Sequence, residues 1–342
     1  MNENDEKVVT ENSEQPSEEI KSEQPEEIKE ESNPNLQTIE KADEDAEPYD
    51  VVIENDRKAL FAEYNKSRKV SNILTVIVLV IAVGAMILIT QQDVAMTIIG
   101  WCLAGATVVG LLLYYALTKN KFPNKTRDYI KKITVSLNQR TFADEKFTDL
   151  VTDPTEKVAV EDMVGDDVYD TLGNIASRNV VRGKYNGKDF MYGEVALNKA
   201  GATKKDAPLF VGKYISISNK LQMKGRVIIN LKKAENPVDL PTKVGDLEVL
   251  KETPDFVVYG IKSNDFENNL GTEFLSKIKQ LMPVDHLMNT NVVIWGGKTG
   301  IYLSYDDESM ALPFDKPFNK AANEQIVENL LVGLECNEIL GK

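Results

Sequence analysis

The sequence predicts an α+β protein: a two-helix transmembrane hairpin followed by a cytoplasmic domain with a mostly antiparallel or mixed sheet and packed helices. Three observations lead there. Two uncharged apolar runs, 71–90 and 94–118, lie close together, and each is long enough to cross about 30 Å of hydrocarbon, which takes about 20 residues. Lys and Arg crowd the outer flanks of this pair and are missing from the loop between them. From about residue 125 the pattern changes to successive strand-like runs with amphipathic helices near the ends, the order of an α+β domain.

The chain has 342 residues and a formal net charge of −14. That excess belongs to one segment: residues 1–50 hold 18 Asp/Glu against 4 Lys, and the remainder holds 36 acidic and 36 basic side chains. With no basic excess in the folded part, nucleic acid is not an expected partner. Residues 1–49 are rich in Glu, Ser, Gln and Pro and carry a near-repeat, 13–21 followed by 22–29. Such a tail buries too little apolar surface to offset its ordering entropy, so it is expected to be disordered and dispensable for folding. The first long apolar run begins near residue 71, too far along the chain for a cleaved signal peptide.

Residues 50–70 read as a juxtamembrane helix, with Val51, Ile53, Leu60, Phe61 and Tyr64 among charges. The spans 71–90 and 94–118 follow, joined by Gln91-Gln92-Asp93. Five basic residues lie within 56–70 and six within 119–132. Basic flanks stay in the cytoplasm, which predicts a multi-pass membrane protein with both termini inside. Lys66, Arg68, Lys69, Lys119, Lys121 and Lys125 are the predicted membrane-surface contacts, and Lys at that level favours anionic lipid. Neither span contains Asp, Glu, Lys, Arg or His, which argues against a transporter, since ionisable groups mark translocation paths. Small residues recur at Gly100 with Ala104 and at Ala106 with Gly110, permitting close packing within the hairpin or between copies.

The domain, 119–342, opens with a predicted helix over 125–139 and a shorter helical stretch near 168–176. Strands are predicted at 178–184, 189–197, 209–218, 226–231 and 256–261. A helix over 270–282 presents Phe274, Leu275, Ile278 and Leu281 at helical spacing. The runs 292–295 and 301–304 flank a glycine-rich turn and read as a β-hairpin. A helix over 320–340 closes the chain, with Ile326, Val327, Leu330, Leu331 and Leu334 as its apolar stripe.

Candidate chemistry is sparse. Gly296-Gly297-Lys298-Thr299 resembles the end of a phosphate loop, but Val292 stands where the first glycine belongs and a strand follows instead of a helix. Glu161, Asp162, Asp166, Asp167 and Asp170 match no calcium-loop spacing and read as helix-capping acids. His286 is the one histidine, and Cys102 and Cys336 are the only cysteines. They cannot assemble a tetrahedral zinc site, and two distant thiols fit a reducing compartment. No catalytic residue, cofactor or metal is expected.

Several strand motifs resemble those of the bacterial membrane-protein family called domain of unknown function 3137. They are Phe190-Met191-Tyr192-Gly193-Glu194-Val195, Leu209-Phe210-Val211-Gly212-Lys213-Tyr214, Lys224-Gly225-Arg226-Val227, Asp255-Phe256-Val257-Val258-Tyr259 with Asn264-Asp265, Trp295-Gly296-Gly297-Lys298-Thr299-Gly300-Ile301-Tyr302, and Pro313-Phe314-Asp315. Their order and spacing carry the likeness, from about residue 57 to residue 340. Leu270-Gly271-Thr272 replaces the family's Leu-Thr-Pro, and Gly193 replaces a Ser. The resemblance implies a bacterial cell membrane, a two-helix hairpin and a cytoplasmic α+β domain, and it brings no catalytic residues. The function expected is a membrane-anchored cytoplasmic binding or scaffold domain. Its partners would be the lipid bilayer and a protein or a second copy. The alternatives are a membrane-tethered enzyme with carboxylate chemistry, or a transporter accessory subunit.

Overall fold

The computed structural model describes residues 37–39, 47–118, 121–153, 157–159, 163, 172–203, 206–221, 223, 225–231, 247–262, 266–306 and 314–340. The elements run β1 (Gln37–Thr38), α1 (Tyr49–Ile89), α2 (Val94–Thr118), α3 (Lys121–Thr141), β2 (Phe147–Asp153), β3 (Leu172–Tyr185), β4 (Lys188–Lys199), β5 (Phe210–Ser218), β6 (Val227–Leu231), β7 (Glu248–Glu252), β8 (Phe256–Gly260), α4 (Phe266–Ile278), β9 (Leu287–Trp295), β10 (Lys298–Tyr305) and α5 (Lys320–Ile339).

α1 is one helix of 41 residues, about 60 Å long at 1.5 Å per residue. The predicted juxtamembrane helix and first apolar run are thus a single element. Asp93 starts α2 by accepting from the Ala95 amide at 2.8 Å, the bond that satisfies an orphan N–H of a first helical turn. The apolar part of α1 and α2 are each long and apolar enough to cross a membrane by length and composition, and only 6% of each apolar window is buried. A core helix of the same composition would be covered. Here Ile73, Leu79, Met86 and Leu112 are all more than half exposed.

α3 returns along the first half of α1. Ile53 and Leu60 pack with Tyr129 and Ile133, and Lys125–Glu63 and Lys132–Asp56 ion pairs set the antiparallel register. These two half-helices form a stalk that belongs to the sheet domain as much as to the apolar hairpin.

Among the described residues ten strands make one sheet in the order β1-β2-β3-β4-β5-β10-β9-β6-β8-β7, and the pairs between them are antiparallel. Alternation along β4 sends Phe190 and Tyr192 to one face and Met191, Val195 and Leu197 to the other. The first face receives α4 through Leu270, Phe274 and Ile278, and α5 through Ile326, Leu330 and Leu334. On the second face Tyr302 stacks between Phe210 and Tyr214, with ring centroids 5.7 and 4.9 Å away. β9 and β10 meet through Trp295 paired with Lys298. The intervening Gly296 and Gly297 both have positive φ, 58° and 74°, the two-residue turn whose twist matches the strands. So the glycine run is a hairpin turn, and Lys298 begins a strand.

Some expectations change. The stretch 168–176 was predicted helical, but its described part opens β3, where Leu172 and Ile175 pair with Lys199 and Leu197; cross-strand pairing outweighs a weak local helix preference. Asp166 and Asp170, with the rest of the acidic cluster, lie outside the described residues. Within the tail predicted disordered, Gln37 and Thr38 pair with Thr152 and Val151, and Ile39 packs on the core; residues 1–36 lie outside the described residues. The helix predicted over 270–282 is broken at Gly271, whose φ is 71°, and ends in a 3₁₀ turn, Lys279–Leu281. Strands β2 and β7 were not anticipated.

Gly212 has a packing reason. A Cβ there would stand 2.0 Å from the Leu303 carbonyl oxygen on β10, so any side chain must push β5 and β10 apart. Gly212→Ala should lower the thermal midpoint of the full-length chain by several degrees, on the order of 3 kcal/mol. Gly105→Ala, where a Cβ meets nothing within 4 Å, should leave it unchanged. Circular dichroism during heating distinguishes the two.

Candidate functional site

The stalk and the hairpin meet at one junction, where two of the six singled-out basic residues, Lys66 and Lys125, come together. Lys66 and Lys125 line a cleft of about 310 Å³ with Glu63, Ser67, Val70, Tyr114 and Phe122. Each helix contributes for a simple reason. On α1, residues 63, 66, 67 and 70 share one face at helical spacing. Tyr114 stands near the end of α2 and Phe122 near the start of α3. Lys125 pairs with Glu63, and Lys66 extends toward solvent. Arg68 and Lys69 are exposed on other faces of α1. Lys121 begins α3, and Lys119 lies outside the described residues. Of the predicted band, Lys66 and Lys125 share one cleft.

Further along the stalk, the connection from β10 to α5 is clasped to α1. Arg57 is 7% exposed and donates to both carboxylate oxygens of Glu54 at 2.7 Å. Its remaining nitrogen donates to the Phe314 carbonyl at 3.0 Å. The Phe318 amide donates to Glu54 at 3.3 Å, and Lys320 pairs with Asp50 at 3.0 Å. Aromatic rings seal both ends: Phe314 against Tyr64 and Phe122, and Phe318 against Tyr49. Arg57 holds the Glu54 carboxyl far below the usual range, at about 2. The sequence names Tyr64 and Phe314 but does not join them or point to Glu54, because the segments the clasp joins stand some 260 residues apart in the chain.

A second charged row crosses the sheet. Glu194 on β4 faces Arg178 on β3 and Lys213 on β5, directly opposite on each side, and it bonds to both. Burial raises the Glu194 carboxyl, but Lys213 and Arg178 outweigh it and keep the group ionised. A carboxylate clamped between two cations is a poor proton donor or acceptor. Ala176, Ala196 and Val211 floor a shallow depression of about 220 Å³ beside it. Glu194 and Lys213 sit in two of the quoted strand motifs, and antiparallel pairing of those strands is the signal that could have joined them.

The remaining candidates separate. His286 sits in a turn and contacts Asp306 through Nδ1 at 2.7 Å. Cys336 is 1% exposed on α5, and burial pushes its thiol up to about 12, so it is a packed thiol with no thiolate character at neutral pH. Among the described residues no group of three or more His, Cys, Asp and Glu could hold a metal ion. α5 packs ten residues into the core and serves as structure, whereas Trp295 at the β9–β10 turn is 51% exposed.

The clasp has a pH signature. Glu54 carries a folded pKa below its ordinary 4.5, so the unfolded chain takes up its proton first on acidification. Its stabilisation is fully present above about pH 4.5 and is lost as pH falls toward about 2. Glu54→Gln should cost about 1–3 kcal/mol at pH 7, a deficit against the parent that narrows across that acid window. Urea unfolding at several pH values measures it; a deficit independent of pH would refute the assignment.

No protein-family model matches the chain, and no curated protein matches it. The likeness to the domain of unknown function 3137 is therefore carried by the strand motifs alone. Among solved structures the chain is similar to the crystal structure of the mycobacterial trehalose monomycolate transport factor A, TtfA, at 13% identity and a TM-score of 0.36, covering 59% of this chain and 93% of that one. A likeness of that size carries neither fold nor function across.

Proposed function

We propose that the chain is a membrane-anchored binding module. α1 from about residue 71 and α2 form a hairpin through the bilayer, and the sheet domain on the cytoplasmic side recruits a protein partner. The observation that carries the anchor is the outward-facing apolar surface of both helices, exemplified by Ile73, Leu79 and Leu112, flanked by Lys66, Arg68, Lys69 and Lys125 and joined by a Lys-free loop. Apolar side chains at that density are stable only against lipid or protein, and the basic flanks favour the cytoplasmic side. The strand motifs resembling the domain of unknown function 3137 support the same order of hairpin and sheet.

For the domain, a binding role is supported by rigid presentation. The stalk clasp joins α1 to the segment 314–320 by three polar contacts, so the sheet is held in place relative to the hairpin instead of swinging on a linker. Trp295 stands on a two-residue turn that α5 pins through Asn337, which accepts from Thr299 at 2.7 Å and donates to Ser218 at 2.9 Å. A large exposed aromatic on a fixed turn is a typical interface anchor. Recruitment beside a bilayer raises the partner's local concentration without new contacts.

Topology is tested with single cysteines in a Cys102→Ala, Cys336→Ala background. Gln92→Cys in the loop should label with a membrane-impermeant thiol reagent in intact cells. Lys262→Cys, at an exposed position of the domain, should label only after permeabilisation. The reverse pattern would overturn the orientation. A photo-crosslinking residue at 295 should give a discrete adduct that the same residue at 262 does not, and equal adducts would remove the turn from the interface.

A further inference from the structure

The hairpin is not packed evenly along its length. At the loop end the helices touch. A Cβ on Gly100 would meet Ile89 at 2.8 Å and the Ala85 carbonyl at 2.9 Å, whereas a Cβ on Gly110, ten residues along α2, would meet nothing within 4 Å. The small pair Ala106 and Gly110 thus leaves space instead of closing it. The result is a groove of about 350 Å³ between α1 and α2, lined by Leu74, Ile77, Ile81, Ala106, Gly110 and Tyr114 among others, and almost wholly apolar. Thr107, which also lines it, spends its hydroxyl on the Leu103 carbonyl at 2.8 Å. Tyr114 lines both the groove and the charged cleft of Lys66 and Lys125, so the apolar groove and the cationic cleft adjoin at that side chain.

We propose that this groove and the adjoining cleft together hold one anionic phospholipid, with an acyl chain between α1 and α2 and the headgroup phosphate at Lys66 and Lys125. The inference rests on the hairpin being inserted in the bilayer. Length fits: Val70 to Ile81 spans about 16 Å of helix, close to the half-thickness of an about 30 Å hydrocarbon core. Charge fits as well. Two lysines, Lys66 and Lys125, against one carboxylate, Glu63, leave the lining of the mouth net positive by one charge, which matches one phosphate. Basic pockets between helices on the cytoplasmic side take headgroups of this kind. A second copy's helix would suit the apolar groove but would leave the cationic mouth without an anion.

The test uses the full chain purified in mild detergent, with native mass spectrometry of lipid retained per chain. The probes are phosphatidylglycerol, phosphatidylcholine and chain-free glycerol phosphate. About one phosphatidylglycerol per chain should be retained, roughly tenfold over phosphatidylcholine, and glycerol phosphate should not bind. Gly110→Leu fills open space and should abolish retention. Lys66→Ala should erase the headgroup preference while retaining a lipid chain, and Lys262→Ala at a distant exposed site should change nothing. Retention indifferent to headgroup, or unchanged by Gly110→Leu, would mean annular lipid only and would overturn the proposal. So would quantitative disulfide formation between copies through Gly110→Cys. Extraction of the parent chain from membranes by alkaline carbonate would instead overturn the insertion reading, and it is scored separately; variants are compared only where their thermal midpoints match the parent's.

Discussion

The arrangement depends on a buried guanidinium. Arg57 sits about one-fifth of the way along a helix whose far end is bare of polar groups, and it satisfies its donors on Glu54 and on the Phe314 carbonyl. Without that partner set a buried cation would be costly. With it, α1 is welded to the segment that leads into α5, and α5 is the helix that covers the sheet. Orientation thus passes through a short chain of contacts, from hairpin to α1, from α1 to residues 314–320, and from α5 to the β9–β10 turn. The ion pairs of α3 with Glu63 and Asp56 are more exposed and contribute little alone. Their part is to fix the register in which Ile53, Leu60, Tyr129 and Ile133 meet.

The row Arg178–Glu194–Lys213, buried at Glu194 and Lys213 and open to solvent at Arg178, solves a related problem on the sheet. Lys213 is 6% exposed and lies 5.8 Å over the Tyr192 ring, where an unpaired ammonium would be expelled or deprotonated. Glu194 prevents that by pairing across β4 and β5, and Arg178 balances the carboxylate from β3. Breaking such a pair on one side costs more than the pair contributes, because the survivor stays buried and charged. The row acts as a register key: a one-residue slip of β5 would carry Lys213 to the face lined by Tyr214 and Tyr302, with no carboxylate opposite.

What could be read in the sequence follows from range. Period and length exposed the two apolar runs, the strands β4, β5 and β8, the β9–β10 hairpin and α5, because each is set by neighbours in the chain. β7, with the sequence Glu-Val-Leu-Lys-Glu, reads locally as helix. It is a strand because β8 offers it an edge, and its charges suit an outermost position. β2 hides behind its Asp and Thr residues in the same way. The site was half legible. Charge counting found Lys66 and Lys125, but only tertiary packing brings Tyr114 into the same cleft and pairs Glu63 with Lys125. Asn179 was invisible: it sits at positive φ in a bulge of β3, and its amide pairs with Asn138 of α3 at 2.8 and 3.0 Å, a contact that neither residue's surroundings announce.

The uneven hairpin ties these threads together. Glycine in a helix costs about 1 kcal/mol relative to alanine unless close approach or space is wanted. Gly100 has the first reason, since Ala85 and Ile89 press on it; Gly110 has neither close neighbour nor strained φ. The helices press together at Gly100 and leave open space at Gly110, and at the stalk end α1 is held separately, by the Arg57 clasp and by α3. Two helices held apart at one end and pinched at the other must leave a wedge between them. In lipid that wedge is filled by whatever apolar chain reaches it, and its mouth is where the sequence places its basic flank. The same packing that steadies the sheet domain therefore creates the groove, which makes its occupancy and the stiffness of the stalk physically coupled properties.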